Sequence, residues 1–483
     1  MPAERALPAD FGVALDPGVR ALDDGTVLVG GSPLRLLRLT EAGRRLVERL
    51  AAGERVPRSD GGQRLTRRLL DAGLAHPRPG RGAHRLEDVT IVIPVRDRTD
   101  ELVATLANVG PAAAVIVVDD GSTTAATGDA ARERGATVLR HERSRGPGAA
   151  RNTGWRQAMT PLVAFVDADC EPAPGWLDAL IAHFDDPAVA AVAPRITTTV
   201  TDGLPRAVAV YERARPALDR GPQEAIVRPR SRVPFVPTAA LVVRHEALAA
   251  MDGFDESMPV GEDVDLVWRL AAAGWTVRYE PASTVAHPAR ATFAAWLRQR
   301  FDYGTSAATL ATRHGSAVAP LAVSSWTAAS WGLVGVGAPV AGTAVAAVTT
   351  ALLAPRLRGL RHPWQEALRI AGAGHLYAGR AVADAVRRVW WPLAAVAAVF
   401  SRRARVGVAA AVTIPPLLEW LTERPAIDPV RWTALRVVDD VTYGAGVWVG
   451  CWRERSAAAL RPDLTSWPGH RDAVELSPQN QRF

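Results

Sequence analysis

Residues 162–169 read LVAFVDAD: five apolar residues, then two aspartates separated by one alanine. A short unbroken apolar run closed by polar residues is the pattern of a strand buried on both faces. Four more runs share it: VTIVIPV (89–95), AVIVVDD (114–120), TVLR (137–140) and VAAVAPRI (189–196). Helical patterns fall between them, for example GWLDALIAHF (175–184). The alternation predicts an α/β fold over residues 87–312, a Rossmann-like, mostly parallel sheet with helices on both faces. Ligands of such sheets bind beyond the carboxyl ends of the strands, so the polar residues closing each run are the ones to weigh.

Three carboxylate groupings stand out: Asp119-Asp120, Asp167-Ala168-Asp169, and Glu262-Asp263 within VGEDVDLVWRLAAAG (260–274). Alternation along a strand puts Asp167 and Asp169 on one side of the chain. Two carboxylates at an open strand end suit a hard divalent cation that keeps waters and binds phosphates. Any single Asp-Asp or Asp-x-Asp also occurs as a turn or helix cap; three such groupings, two of them closing apolar runs, are much harder to ascribe to chance. Arginines supply the opposite charge: Arg96, Arg151 in RGPGAARNTGW (145–155), and Arg298 and Arg300 in WLRQRFDYG (296–304). In the second of these, glycines precede a helix and leave its first N–H groups open to an anion. A solvated surface role competes for each arginine.

The 483-residue chain is 48% hydrophobic and 22% charged, which excludes a disordered or collagen-like protein. Its 57 basic side chains against 50 acidic ones are all arginine. Without lysine there is no Walker-type phosphate loop, and no Gly-x-Ser-x-Gly elbow is present either. Cys170 and Cys451 are too few for a disulfide scaffold or a Cys-rich zinc site. The start, MPAERALPADFG, lacks the pattern of a signal peptide, and a cytoplasmic catalytic domain is expected.

Outside the α/β region, residues 1–80 combine a hairpin, VRALDDGTVLVGG (19–31), with two short helices. Thr40 caps the first, with Leu46, Val47, Leu50 and Ala51 on one face and Gly53 at its end; the second, GQRLTRRLLDAG (62–73), buries Leu65, Leu69 and Leu70. This predicts a small winged-helix-like module, followed by the linker HPRPGRGAHR (76–85). Residues 313–418 are hydrophobic. No charged side chain occurs in 315–355, long enough for two packed membrane helices turning at Gly335, Gly337 and Pro339. The 389–418 region, broken by Arg402, Arg403 and Arg405, reads as an interfacial hairpin with its arginines at anionic headgroups. Buried soluble helices are the competing reading for both. Residues 419–483 predict a helix or two, then a disordered tail ending ELSPQNQRF.

IVIPVRDR (91–98), VIVVDDGSTTAAT (115–127), GPGAARNTGW (146–155), FVDADCEP (165–172), GFDESMPVGEDVDLVWRLAAAGW (253–275) and VAHPAR (285–290) occur in the order seen in family 2 glycosyltransferases, whose fold is GT-A. The chain resembles that family, and its whole layout resembles the actinobacterial subgroup of mycofactocin biosynthesis. The resemblance implies an inverting transfer of glucose from UDP-glucose to a small acceptor made from a ribosomal peptide, building β-1,4-linked glucose, with Mn²⁺ or Mg²⁺ as cofactor. It implies a nucleotide pocket at Pro94, Arg96, Asp119, Asp120, Arg151 and Asp167. Asp169 and His287 would hold the metal, and Asp263 would be the base, with Glu262 as second choice. Trp268, Arg298, Arg300 and Tyr303 are candidates for acceptor or diphosphate contacts. Processive synthases of the family carry Gln-x-x-Arg-Trp where this chain reads Arg298-Gln299-Arg300-Phe301-Asp302-Tyr303-Gly304, which argues against a large extruding synthase. The N-terminal module resembles the winged-helix peptide-recognition domains of peptide-modifying enzymes. An accessory structural role competes, and a nucleic-acid partner is disfavoured by the absence of a dense basic helix. Transfer to a lipid or cell-wall glycan is the alternative reaction, suggested by 315–355; a nucleotidyltransferase and a non-enzymatic membrane scaffold are the remaining readings.

Overall fold

The computed structural model describes residues 6–8, 10–80, 82–200 and 203–464. The expected polar tail lies outside the described residues. The described residues form two compact units, one holding those up to 200 and 215–289, the other 203–214 and 290–464.

The first unit opens with the N-terminal module. Strand β1 (Gly12–Leu15) is followed by the antiparallel set β2 (Arg20–Leu22), β3 (Val27–Gly30) and β4 (Arg35–Arg38). Asp23, Asp24 and Gly25 all take positive φ in the tight turn between β2 and β3. Helix α1 (Glu41–Ala51) is capped by Thr40, whose hydroxyl accepts from the Gly43 N–H, and α2 (Asp60–Asp71) by Ser59. Leu46, Val47, Leu50, Leu69 and Leu70 join one core with Phe11 and Leu28; Ala51 stays exposed. The expected linker begins later than 76, because Ala75–Arg78 forms β5 against β1. Pro77 is tolerated there because a two-stranded sheet has only edges.

The large sheet of this unit contains nine strands among the described residues. Strands β6 (Val89–Val95), β7 (Ala114–Asp119), β8 (Thr137–Arg140) and β9 (Leu162–Val166) are parallel, with β6 between β7 and β9. Helices α3 (Thr99–Asn108), α4 (Ala126–Arg132) and α5 (Pro147–Trp155) connect them. After β10 (Glu171–Pro172), α6 (Trp176–Ile181) and β11 (Val189–Thr199), the chain leaves for α7 (Arg206–Ala214) of the second unit. It returns with β12 (Ala225–Val227), β13 (Ala240–Arg244), α8 (His245–Ala250), α9 (Glu262–Ala272) and β14 (Thr276–Pro288). Strand β13 runs antiparallel between β9 and β11, and β11 pairs in parallel with β14. The carboxyl ends of β6, β7, β9 and β14 therefore share one sheet edge. A core of Ile91, Ile93, Val117, Ala164, Val166 and Val192 underlies that edge. This is the mixed GT-A sheet expected from the sequence.

The module is bound to the large sheet within this unit. Arg67 forms a two-pronged pair with Asp186 at 2.6 and 2.8 Å, and Arg78 does the same with Glu224 at 2.7 and 2.6 Å.

The second unit is helical: α10 (Phe293–His314), α11 (Ser325–Gly335), α12 (Pro339–Leu353), α13 (Pro363–Ala367), α14 (Ala373–Arg388), α15 (Trp391–Phe400), α16 (Arg402–Glu423) and α17 (Pro429–Arg453). The boundary between units falls after Ala289, so α10 stands outside the first unit although the sequence pattern ran on to 312. Helices α10 and α17 touch through glycines: a Cβ on Gly304 would lie 2.0 Å from the Tyr443 carbonyl, and one on Gly446 2.0 Å from the Phe301 carbonyl. The turn at 336–338 separates α11 from α12 as the Gly/Pro signals predicted. Two helical stretches, Pro339–Leu357 and Arg402–Glu423, are long and apolar enough to cross a membrane by length and composition.

Candidate active site

Strand β9 delivers Asp167 and Asp169 to the open edge. The turn that carries them is pinned twice. The Asp167 N–H donates to the Ala239 carbonyl at 3.0 Å, and the buried Thr105 hydroxyl bonds to the carbonyls of Ala168 and Cys170 at 2.8 Å each. Cys170 is itself buried, and burial pushes its thiol pKa up, so it is a packing residue and not a nucleophile.

Asp169 lies between two partners. His287, on the last turn of β14, brings Nε2 to 3.6 Å from one carboxylate oxygen, and Arg98 forms an ion pair with the other. Arg96, expected at the nucleotide pocket, is exposed and lies 3.7 Å from its neighbour Asp97. The reach of Arg98 to Asp169 comes from the backbone. Asp97 sits at φ 53°, its N–H donating to Ser122 Oγ and its carboxylate accepting from the Thr123 N–H. That bend sends Arg98 to Asp169.

The Asp119-Asp120 pair is committed to the protein. Asp119 is fully buried, accepting from Arg140 at 2.6 Å and from the Ser122 N–H at 2.8 Å. Asp120 accepts from His141, Ser144 and the N–H groups of Arg145 and Gly146, all at 2.7–2.9 Å. Burial pulls its pKa up, but these donors outweigh it and hold the carboxyl below its usual range. The pair shapes the 141–146 turn leading into α5, and Pro94 is half-buried on the adjoining strand. Arg140, His141 and Arg145 carry no sequence signal that would have marked them.

Arg151 is a strut. It is 4% exposed and donates through Nη1 to Glu262 at 2.7 Å and through Nη2 to Asp167 at 2.8 Å. Each terminal nitrogen donates to one carboxylate, so Arg151 bridges the end of β9 to the start of α9. Burial works against its charge, but the two carboxylates outweigh that and raise its pKa.

Gly261, at φ 86°, turns the chain into α9 and sets Glu262 and Asp263 in the first turn. Here the helix dipole favours negative charge. Glu262 is 7% exposed; burial first, then the Asp263 charge, raise its pKa to about 7 against the opposing pull of Arg151. Burial also raises Asp263, whose carboxylate accepts from the Val264 N–H at 2.8 Å yet stays partly open to solvent. A proton acceptor above the ordinary carboxylate range is what general-base chemistry needs.

The remaining candidates are occupied elsewhere. Trp268 is buried, its indole N–H donating to the Pro234 carbonyl at 2.7 Å. Arg298, Arg300 and Tyr303 belong to α10 of the second unit. Arg300 is buried and donates to Glu212 at 2.5 Å and Asp439 at 3.1 Å, a structural ion network that takes up its guanidinium. Tyr303 accepts from Gln299 at 3.0 Å, and Arg298 is exposed beside Asp302.

The donor set open to a divalent cation is small. Asp169 and His287 supply a carboxylate oxygen and an imidazole nitrogen at one edge, a pair that Mn²⁺ accepts. Among the described residues no group of three His, Cys, Asp or Glu side chains gathers to hold a metal. The chain's share would thus be two ligands, leaving positions for diphosphate and water. The residues fit.

A mixed GT-A sheet with an Asp-x-Asp turn joined through Arg151 to an acidic helix start is the arrangement of a glycosyltransferase. The profile of the family described as "Glycosyl transferase family 2" matches residues 90–242. The "Pre-mycofactocin glycosyltransferase" of Mycobacterium tuberculosis is 43% identical over 474 residues, covering 95% of this chain and 98% of that protein. The chain belongs to the family 2 glycosyltransferases and is close to that relative. "Glycosyltransferase AglE" of Haloferax volcanii is 28% identical over 195 residues, 39% of this chain and 61% of its own. Among solved structures, a mannosyltransferase from Pyrobaculum calidifontis in complex with GDP-Man and Mn²⁺ superposes with TM-score 0.39 at 20% identity, over 62% of this chain and 89% of that one.

Proposed function

We propose that this enzyme transfers glucose from UDP-glucose, with inversion, to pre-mycofactocin, extending a β-1,4-linked glucose chain. The observation that carries the reading is near-full-length similarity to the pre-mycofactocin glycosyltransferase, joined to an intact set of Asp167, Asp169 and Asp263. Asp167 takes the ribose side, and the loops shaped by Arg96–Arg98 and Asp119-Asp120 wall the base, with Pro94 beneath. Asp169 and His287 would hold a divalent cation, which would supply neutralising charge at the departing diphosphate. Arg98 stands ready at the same carboxylate. Arg151 fixes Asp167 and Glu262 at one spacing, so that Asp263 meets the acceptor hydroxyl on the face opposite the leaving group. Asp263 takes that proton as the oxygen attacks, and a single displacement turns an α-linked donor into a β-linked product. Glu262, held by Arg151, keeps the base in register.

The N-terminal module is assigned to presentation of the peptide-derived acceptor or a biosynthetic partner. The catalytic unit works in the cytoplasm at a membrane surface, through the apolar helices of the second unit. Those helices are also the observation that favours a second reading, transfer to a lipid or cell-wall glycan. The test is Asp263→Asn: turnover falls by roughly 10²–10⁴-fold while UDP binding is unchanged. Retained turnover removes Asp263 from the role of base.

A further inference from the structure

We infer that α11–α12 and α15–α16 form one monotopic patch that lies in a single anionic leaflet without crossing the bilayer. This rests on the membrane-surface reading above and specifies its geometry and lipid.

Length comes first. Helices α11 and α15 have 11 and 10 residues. At about 1.5 Å per residue they reach roughly half of a ~30 Å hydrocarbon layer, and α12, with 15 residues, reaches about three quarters of it before its continuation to Leu357 brings in Arg356. The charge-free stretch of α16 is Val406–Leu418, bounded by Arg405 and Glu419, and that around α15 is Val389–Ser401, bounded by Arg388 and Arg402. Each is only about 20 Å long. Spanning would draw an arginine or a glutamate into hydrocarbon, where ionised side chains are costly.

Geometry comes second. Arg403 Nη1 donates to the Val336 carbonyl at 2.9 Å, so the α11–α12 turn meets the start of α16. Arg405 donates to the Ala398 and Val399 carbonyls that end α15. The two hairpin tips thus form one end, and it carries exposed Arg402, Arg403 and Arg405. A cationic tip belongs at the headgroups, not at the bilayer midplane.

Surface chemistry comes third. Val340, Val348 and Leu352 of α12, Val396, Val399 and Phe400 of α15, and Ile414 and Leu418 of α16 are more than half exposed. No acidic residue occurs from Gly315 to Gln365 or between Asp384 and Glu419, whereas arginines flank the apolar stretches. Apolar side chains beside arginines, without counter-charges, match an anionic phospholipid surface.

The test uses the full chain with sealed vesicles of phosphatidylcholine, with and without one quarter phosphatidylglycerol. The chain floats with the anionic vesicles and far less with the neutral ones. Arg402→Gln with Arg405→Gln lowers that partition by roughly 30-fold at low salt. Val399→Asp removes it while far-UV circular dichroism stays unchanged, because that side chain is 70% exposed. Val336→Cys is modified by an impermeant maleimide added outside and spared when the reagent is trapped inside; both native cysteines are buried. Labelling from the lumen overturns the monotopic geometry. Equal flotation on both vesicles overturns the headgroup assignment. Failure to float on either overturns the membrane reading itself, and nucleotide release in solution then judges the transfer reading separately.

Discussion

Replacing Arg151 by glutamine removes the only charge that bridges Asp167 and Glu262. The two bonds measure 2.7 and 2.8 Å, and Arg151 and Glu262 are 4% and 7% exposed. Breaking a buried pair by deleting one partner costs about 3–5 kcal/mol, since the other charge is left desolvated. For the first unit this is a fall of roughly 5–9 °C in melting temperature. The cost depends on pH. In the parent protein the carboxyl of Glu262 is raised from 4.5 to about 7, so the stability tied to its protonated form is fully present below 4.5 and lost as pH rises through 7. Without Arg151 that carboxyl rises further, and the loss extends to higher pH. Both proteins hold the Glu262 proton below about pH 7, so the variant's deficit is level from pH 5 to near 7 and grows as pH rises above 7. Thermal melts of both proteins at half-unit steps from pH 5 to 8.5 read this directly. A deficit that does not change with pH would refute the bridge as the source of the effect.

Three further outcomes follow from the same geometry. His287→Ala leaves Asp169 as the sole nearby ligand and weakens Mn²⁺ binding by roughly 10–100-fold or more by titration calorimetry in the presence of UDP; unchanged affinity removes His287 from the site. Thr105→Val strips two hydroxyl bonds from the turn holding Asp167 and Asp169, so stability falls by about 1–2 kcal/mol and the Mn²⁺ requirement rises. A variant with parent-like stability and metal dependence contradicts that role. In the second unit, Gly446→Ala drives a methyl into the Phe301 carbonyl and costs about 1–3 kcal/mol, read as a lower midpoint in urea without loss of UDP binding.

The strands that carry chemistry were legible because each is a short Val/Ile-rich run closed by acids, and burial on both faces leaves few other uses for such a run. The acidic start of α9 was legible as the Glu262-Asp263 grouping and through the ordered motifs of the family. Strand β14 was harder: EPASTVAHP (280–288) has neither alternation nor an apolar run, and it becomes strand by pairing with β11 and β10, partners more than 70 positions away. The excursion of α7 into the second unit is equally invisible, since its hydrophobic face differs in no way from that of a sheet-covering helix. In the site, Arg98 was missed because its reach to Asp169 depends on one positive φ at Asp97, which Arg-Asp-Arg does not encode. Arg300 was misleading for a related reason. Composition marks a cation, whereas its partners, Glu212 and Asp439, lie 88 and 139 positions away.

The N-terminal module also limits how its role can be probed. Its removal would leave Asp186 and Glu224 without Arg67 and Arg78, so a truncation reports on folding as well as on acceptor presentation. Charge-neutral substitutions on exposed module residues, compared by acceptor KM against UDP affinity, separate the two.

The most direct measurement of the central claim is UDP release from UDP-glucose with Mn²⁺, with and without pre-mycofactocin, alongside the mass of the acceptor. The account predicts release that depends on the acceptor and an acceptor heavier by whole hexose units. Release of UDP with the acceptor unmodified contradicts the assigned acceptor, and the absence of turnover with any UDP-sugar contradicts the transferase assignment itself.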